Sequence, residues 1–254
     1  MKKNSKNSKS KYLLLVLSIV FIGALFWGIQ WATYARPPLQ EAMEALESDE
    51  LVVVTQEPWL IFSPTKSTLK TGFIFYPGRR VDPRAYSSLM KSIASDGYLV
   101  IAPEMPINMA IFNTDIADQI IAEYSGIEHW VIGGHSVGGV AAAIYTDKNP
   151  ENIDGLAIWA SFPADNTDIS DQDIPVLSIY GSREVRVNDT SVGNQRHLLP
   201  KDTRYISIEG GDHHQFGSYR INPEEHLATT SRSSQQQQII KATLDLLATV
   251  SINN

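Results

Sequence analysis

A single serine stands between glycines in the middle of the chain. Residues 134–138, Gly-His-Ser-Val-Gly, fit the pattern G-x-S-x-G and are separated from the apolar residues 130–132 only by Gly133. In this pattern a strand turns sharply into a helix, and the serine hydroxyl stands exposed at the end of the strand. The small glycines leave room for the close turn. The sequence therefore predicts Ser136 as a nucleophile.

A base must accept the proton of that hydroxyl, because serine alone is a weak nucleophile. In this arrangement an acid and then a histidine follow the serine along the chain. His213 and His214 follow an apolar strand pattern that ends in glycines. A catalytic base is expected in a loop at that end of a strand. We predict His213, the first of the pair, as the base, and keep His214 as the alternative.

An acid should orient the imidazole and stabilise its cation. It is expected after the apolar strand pattern of residues 175–180. Glu184 is the first carboxylate beyond that run, and Asp189 lies five residues farther along. We predict Glu184 as the acid, with Asp189 as the alternative.

Two backbone N–H groups should stabilise the oxyanion that forms during acyl transfer. Val137 follows the serine immediately and is the first predicted donor. The second should come from the turn at residues 77–80, where Pro77 has no N–H to donate. Gly78 permits a tight turn, so we predict the amide of Arg79 as the second donor.

Short apolar runs alternate with helical patterns over the rest of the chain. Such an alternation predicts an α/β fold, in which a mostly parallel twisted sheet has helices on both faces. The runs at 51–54 and 59–62 lie close together and predict an antiparallel start. Asp82 and Pro83 predict the start of a helix that continues to about Ser95.

The predicted strand at 155–160 and the predicted strand at 175–180 are separated by only 14 residues, 161–174. This connection is too short for a helical cap, so an open site is expected. Residues 104–113 and 217–232 should shape it instead. The first of these segments is apolar and could either hold an acyl or aromatic group or belong to the core.

The N-terminal segment has the composition of a membrane anchor. Its first eleven residues carry five lysines and no acid, and no charged residue occurs from Tyr12 until Arg36. We predict a cytoplasmic basic tail (1–11), a transmembrane signal-anchor helix (12–35) and an extracytoplasmic domain (36–254) at the cell membrane. The alternative is a signal peptide that is cleaved to give a secreted protein, although such apolar regions are usually only ~7–15 residues long.

Composition excludes several classes of function. The chain has no cysteine, so disulfides and thiolate metal sites are excluded. Beyond residue 11 it holds 16 basic and 28 acidic side chains, which makes it a poor partner for nucleic acid. It contains no dinucleotide, P-loop or H-E-x-x-H motif. We expect no cofactor, no metal and no nucleic-acid partner, and a small acyl compound as substrate. Oligomeric state is not predictable from these residues.

The chain resembles the α/β-hydrolase superfamily, and in particular small membrane-associated bacterial members close to dienelactone hydrolases. The resemblance spans about residue 40 to the C-terminus and is carried by GFIFYPGRRVDPRAY, YLVIAPEMP, HWVIGGHSVGG, PVLSIYGSRE and GGDHHQFG. It implies the same nucleophile, base, acid and oxyanion donors. Two departures stand out. That branch more often has aspartate where this chain has Glu184, and dienelactone hydrolases use a cysteine nucleophile.

Three functions are consistent with these residues. The first is a serine hydrolase of the carboxylesterase type, which cleaves an ester or related acyl bond through an acyl-enzyme. The second is a catalytically silent hydrolase-fold domain that binds a partner at the cell surface. The third is an acyltransferase with the same triad, which passes the acyl group to an acceptor other than water.

Overall fold

The computed structural model describes residues 5–66 and 69–252, so part of the predicted basic tail, residues 1–4, lies outside the described residues. The chain divides into two units, residues 1–34 and 35–254. The seven helices of the described chain are α1 (Ser5–Thr33), α2 (Gln40–Glu44), α3 (Ser87–Ser95), α4 (Ile116–Glu123), α5 (Val137–Lys148), α6 (Asp189–Gln195) and α7 (Arg232–Ile252). Its eight strands are β1 (Val52–Thr55), β2 (Leu60–Pro64), β3 (Thr71–Tyr76), β4 (Leu99–Ala102), β5 (His129–His135), β6 (Gly155–Trp159), β7 (Val176–Gly181) and β8 (Arg204–Ile208).

The first unit consists of the helix α1. Within it the span Lys11–Trp31 covers 21 residues with a mean hydropathy of 2.5. A helix of this length is about 30 Å long, the thickness of a bilayer core. Length and composition make α1 a candidate membrane span, and a signal sequence near the N-terminus would have the same properties.

The second unit is built on one eight-stranded sheet with the order β1-β2-β4-β3-β5-β6-β7-β8. β1 pairs with β2 and β2 with β4 in antiparallel fashion, and every later pair is parallel. The predicted α/β fold with an antiparallel start is confirmed. Because β3 and β5 to β8 run in the same direction, their carboxyl ends meet at one edge of the sheet.

Helices cover both faces of the sheet, as the apolar strands require. Phe73 and Phe75 pack on one face with buried residues of α3 and α7. Ile74 and Tyr76 alternate with them and pack on the other face with α4 and α5. Two cores therefore hold the central strands β3 and β5 in place, and with them the loops at the carboxyl edge.

Some boundaries differ from those predicted. Asp82 caps as expected, because its carboxylate accepts a hydrogen bond from the Arg84 N–H at 3.0 Å. However, the helix after it begins as a 3-10 turn at Pro83–Tyr86 and becomes α-helical only at Ser87. Residues 160–175, which join β6 to β7, contain no helix, so this connection does not form a helical cap.

Candidate active site

The turn between β5 and α5 places Ser136 at the carboxyl edge of the sheet. Ser136 has φ 55° and ψ −122°, a conformation that non-glycine residues rarely adopt. Such strain costs about 1–3 kcal/mol and persists only when neighbours fix it. Here the Ser136 N–H donates to the Trp159 carbonyl at 2.9 Å, and the Ser161 hydroxyl donates to the Ser136 carbonyl at 2.7 Å. β6 and the residues after it therefore hold the turn.

Gly134 and Gly138 are required because a side chain at either position would clash with neighbouring backbone. A Cβ on Gly134 would lie 2.4 Å from the carbonyl carbon of Gly138, and one on Gly138 would lie 2.1 Å from the carbonyl oxygen of Tyr76. Real Cβ atoms do not approach other atoms so closely. The turn is thus possible only because both positions lack a side chain, which is the physical content of the G-x-S-x-G pattern.

His213 and Glu184 meet beside this turn. His213 Nδ1 lies 2.9 Å from Glu184 Oε2, while Glu184 Oε1 accepts the N–H of Gly181 at 2.9 Å. The Glu184 side chain is 1% exposed and that of His213 is 30% exposed. The buried carboxylate accepts the Nδ1–H of the imidazole, which leaves Nε2 available to a reacting group. Ser136, His213 and Glu184 all line one pocket of about 600 Å³.

The alternative acid and base have other partners. Asp189 Oδ1 accepts the Tyr180 hydroxyl at 2.7 Å and belongs to the start of α6. His214 Nδ1 lies 3.2 Å from the hydroxyl of Tyr219. The structure thus brings together Glu184 and His213, and engages Asp189 and His214 elsewhere.

The two predicted oxyanion donors also line the pocket. Val137 is the first residue of α5, and Arg79 follows β3. Within residues 5–66 and 69–252, no hydrogen bond occupies the backbone N–H of either residue. Both N–H groups are therefore unoccupied by other groups of the described chain, and both residues border the pocket. The positive end of the α5 dipole adds to the stabilisation of negative charge there.

Of the two segments predicted to shape the pocket, only one lines it. Tyr219, Glu225 and Leu227 contribute from the segment 217–232. No residue of 104–113 lines the pocket, so that expectation was wrong. Met105 and Ala110 are buried in the core, whereas Phe112 is 59% exposed. Ile107 and Asn108 have positive φ, and the Asn108 carbonyl accepts the N–H of the pocket residue Arg80 at 2.9 Å, so the segment contacts the pocket wall without lining the pocket.

His135, which precedes the nucleophile, joins two loops of the site. Gly78 N–H donates to the Tyr86 hydroxyl oxygen at 3.1 Å, so that hydroxyl donates its own proton to His135 Nδ1 at 2.9 Å. His135 Nε2–H then donates to the carbonyl of His213 at 3.0 Å. Burial holds the pKa of His135 well below its ordinary value, so the ring stays neutral as this chain requires.

This chain of hydrogen bonds was missed at the level of sequence. The order of triad residues excludes His135 as the base, and no local pattern pairs it with Tyr86, 49 residues earlier. The ring of His135 also stacks on Phe216, with centroids 5.5 Å apart and planes inclined by 6°. His135 therefore fixes the loop of Gly78 and Arg79 relative to the loop of His213.

Asp212, next to His213, fixes the loop that carries His213 through several hydrogen bonds. Oδ1 accepts the N–H groups of His214 and Gln215 at 3.0 Å each. Oδ2 accepts the N–H groups of Leu227 and Ala228 at 2.9 and 3.0 Å, and lies 3.1 Å from His226 Nδ1. Burial raises the pKa of this carboxyl, but the hydrogen bonds outweigh burial and lower the pKa overall. Asp212 acts as a structural anion.

Comparison with known proteins shows the family to which the chain belongs. The model of the alpha/beta hydrolase family matches residues 72–238, about two thirds of the chain. The chain belongs to this family. The match begins in β3 and ends in α7, so it includes every residue of the site described above.

A solved structure shares the fold. Est1E from Butyrivibrio proteoclasticus is similar over 78% of this chain and 99% of its own, with a TM-score of 0.55 and 11% sequence identity. At this identity the likeness concerns the fold alone. Among curated proteins, no sequence relative matches this chain. Membership of the family makes the chain a hydrolase by fold and family, and leaves its bond specificity to the site itself.

Proposed function

We propose that this protein is a serine hydrolase that cleaves an ester or related acyl bond by a Ser136–His213–Glu184 triad. The single observation that supports it best is the 2.9 Å contact of the buried Glu184 carboxylate with His213, at the pocket that also contains the strained Ser136. In this pocket a weak nucleophile, an oriented base and two free N–H donors lie together. These are the parts that acyl transfer requires.

The reaction follows from these roles. The Ser136 oxygen attacks the acyl carbonyl carbon while His213 Nε2 accepts the hydroxyl proton. Glu184 stabilises the resulting imidazolium, and the N–H groups of Val137 and Arg79 hold the oxyanion. His213 then gives its proton to the leaving group, which departs from the acyl-enzyme. A water molecule, deprotonated by His213, attacks the acyl-enzyme and releases the acid and free Ser136.

Covalent labelling tests the nucleophile directly. A fluorophosphonate probe should label the full-length protein in detergent, and Ser136→Ala should abolish the labelling. Ser95→Ala, at the end of α3 and outside the pocket, serves as the control and should label normally. Hydrolysis of short 4-nitrophenyl esters should depend on the same serine. If wild-type protein is not labelled and releases no 4-nitrophenol, the silent binding domain is the correct alternative.

Product analysis separates hydrolysis from acyl transfer. A hydrolase should release the free acid at the same rate as the alcohol in the presence of added alcohols or amines. An acyltransferase would instead move the acyl group to the added acceptor. No feature of the site favours a second acceptor over water, so we expect the free acid.

We propose further that α1 is an uncleaved anchor, with the lysine-rich end in the cytoplasm and the hydrolase domain on the extracytoplasmic side. Its length and apolar composition support a membrane span, and the lysines before it support this orientation. The intact mass of the protein purified from the membrane fraction is the test. Loss of about 35 residues from the expected mass would indicate a cleaved signal peptide instead.

A further inference from the structure

The pocket beside Ser136 gathers an unusual share of the arginines. Of the ten arginines in the chain, five line this pocket, and no lysine of the described residues does. The five are Arg36, Arg79, Arg80, Arg183 and Arg186. Beyond residue 11, acidic residues outnumber basic residues 28 to 16. The arginine-rich lining of this pocket therefore contrasts with the acidic composition of the rest of the chain.

The acidic residues of the pocket are already engaged within the protein. Glu184 accepts from Gly181 and His213, and the Asp212 carboxylate is surrounded by donors of its own and neighbouring loops. Glu225 forms a two-pronged ion pair with Arg36, at 2.7 and 2.9 Å. Each acid that lines the pocket is therefore already hydrogen-bonded within the protein, and Glu225 is paired with a cation.

Three of the arginines remain available. Arg79, Arg183 and Arg186 have exposed side chains, and none of them takes part in a salt bridge among the residues that the structure describes. A cluster of uncompensated guanidinium groups around a concave site raises the local potential and attracts anions.

The sheet order sets where these arginines lie relative to the nucleophile. Arg79 follows β3, which is the neighbour of β5 on one side. Arg183 and Arg186 follow β7, which lies two strands away on the other side. Arginines therefore line the pocket from loops on both sides of the strand that carries Ser136.

We propose that the natural substrate is an acyl compound that carries an anionic carboxylate or phosphate group, held by Arg183 and Arg186 on one side and Arg79 on the other. The planar guanidinium donates two parallel N–H bonds that match the oxygens of a carboxylate or phosphate. Apolar side chains in the same lining, such as Val140 and Phe162, suit the carbon chain between the anion and the acyl group. This assignment rests on the hydrolase function proposed above.

A matched pair of substrates tests it on the full-length protein in detergent. One is the 4-nitrophenyl monoester of adipic acid with its free terminal carboxylate, and the other carries a terminal carboxamide in its place. We expect kcat/KM to be about tenfold or more higher for the carboxylate, because one charge-assisted hydrogen bond contributes about 1.5–3 kcal/mol. The preference should shrink as salt is raised, since salt screens exposed charges.

Arginine variants test whether Arg183 and Arg186 cause the preference for the ester with the carboxylate. The double variant Arg183→Gln/Arg186→Gln should lower the ratio of the two kcat/KM values about tenfold. Lys148→Gln removes one positive charge at the far end of α5 and should leave the ratio as in wild type. Equal ratios in wild type and in the double variant, or an equal effect of Lys148→Gln, would overturn the proposal.

Protection of Ser136 separates the two kinds of anion and does not require turnover. Succinate or inorganic phosphate is added while a neutral fluorophosphonate probe labels Ser136. Slower labelling with either anion supports the proposal and identifies the preferred group. Normal labelling rates with both anions, together with equal hydrolysis of the two esters, would reject an anionic substrate and leave the hydrolase function intact. Absence of all labelling and hydrolysis would instead reject the hydrolase function.

Discussion

The assignment of Glu184 as the acid of the triad depends on its contact with His213. Its carboxylate holds the Nδ1–H of His213, and an amide in its place would favour the wrong imidazole tautomer. Glu184→Gln should therefore lower kcat by about 10⁴-fold, as exchange of a triad carboxylate for an amide does elsewhere. Steady-state hydrolysis of a 4-nitrophenyl ester measures this loss.

Asp189→Asn is the matched control for that experiment. It makes the same chemical change five residues away, at a carboxylate that accepts the Tyr180 hydroxyl. We expect its kcat to stay within about tenfold of wild type. An Asp189→Asn variant with the larger loss would transfer the role of the acid to Asp189.

A variant of Tyr86 tests the chain of hydrogen bonds that links Gly78, Tyr86 and His135. Tyr86→Phe removes the hydroxyl that lies between the Gly78 N–H and His135 Nδ1, and leaves both buried groups without that partner. We expect a loss of about 1–3 kcal/mol in the free energy of unfolding and slower labelling of Ser136. Denaturant unfolding and labelling rates measure the two effects. Tyr124→Phe, a partly exposed tyrosine on the other face of the sheet, should change the free energy of unfolding by less than about 0.5 kcal/mol.

At the scale of elements, the junction of β5 and α5 requires a close approach to β3. Gly138→Ala would place a Cβ 2.1 Å from the Tyr76 carbonyl oxygen at the end of β3. We expect a loss of about 1–3 kcal/mol in the free energy of unfolding and little labelling of Ser136, because overpacking shifts the turn. Gly126→Ala, where a new Cβ meets nothing within 4 Å, should fold and label normally. Normal labelling of Gly138→Ala would contradict the steric account of the turn.

For the whole molecule, carboxylates with lowered pKa values predict sensitivity to acid. A hydrogen bond from Arg36 lowers the pKa of Glu225 to about 2, and a hydrogen bond from Lys91 lowers that of Asp49 to about 2. The native state thus binds fewer protons than the unfolded state between about pH 2 and 4.5. The stabilisation is complete above pH 4.5 and is lost as the pH falls from there toward 2.

Urea unfolding of the full-length protein between pH 5 and pH 3 measures this effect. The midpoint should fall with pH in wild type. It should fall less in Glu225→Gln, because that variant lacks one of the groups that must be protonated. A midpoint that is constant over this range, or equally pH-dependent in the variant, would contradict the prediction.

Much of the fold follows from local patterns. Apolar runs in the middle of the sheet become strands because both of their faces are buried, as Phe73 to Tyr76 demonstrate by alternating between the two cores. The pattern from Gly134 to Gly138 predicts its turn because its residues are close in sequence, although the group that Gly138 must avoid, the Tyr76 carbonyl, belongs to β3. Composition was misleading at the apolar segment 104–113, whose backbone has positive φ at Ile107 and Asn108 and which lies behind Arg80 rather than in the pocket lining.

The residues alone also restricted each role in the site to one or two candidates, since chain order and strand ends are visible in the sequence. Contacts between distant residues needed the folded chain. The choice of Glu184 over Asp189 as the partner of His213, the link from Gly78 through Tyr86 to His135, and the gathering of five arginines around Ser136 all join loops from different strands. Which loops meet is set by the strand order and by the packing of two cores, and neither leaves a local trace in the sequence.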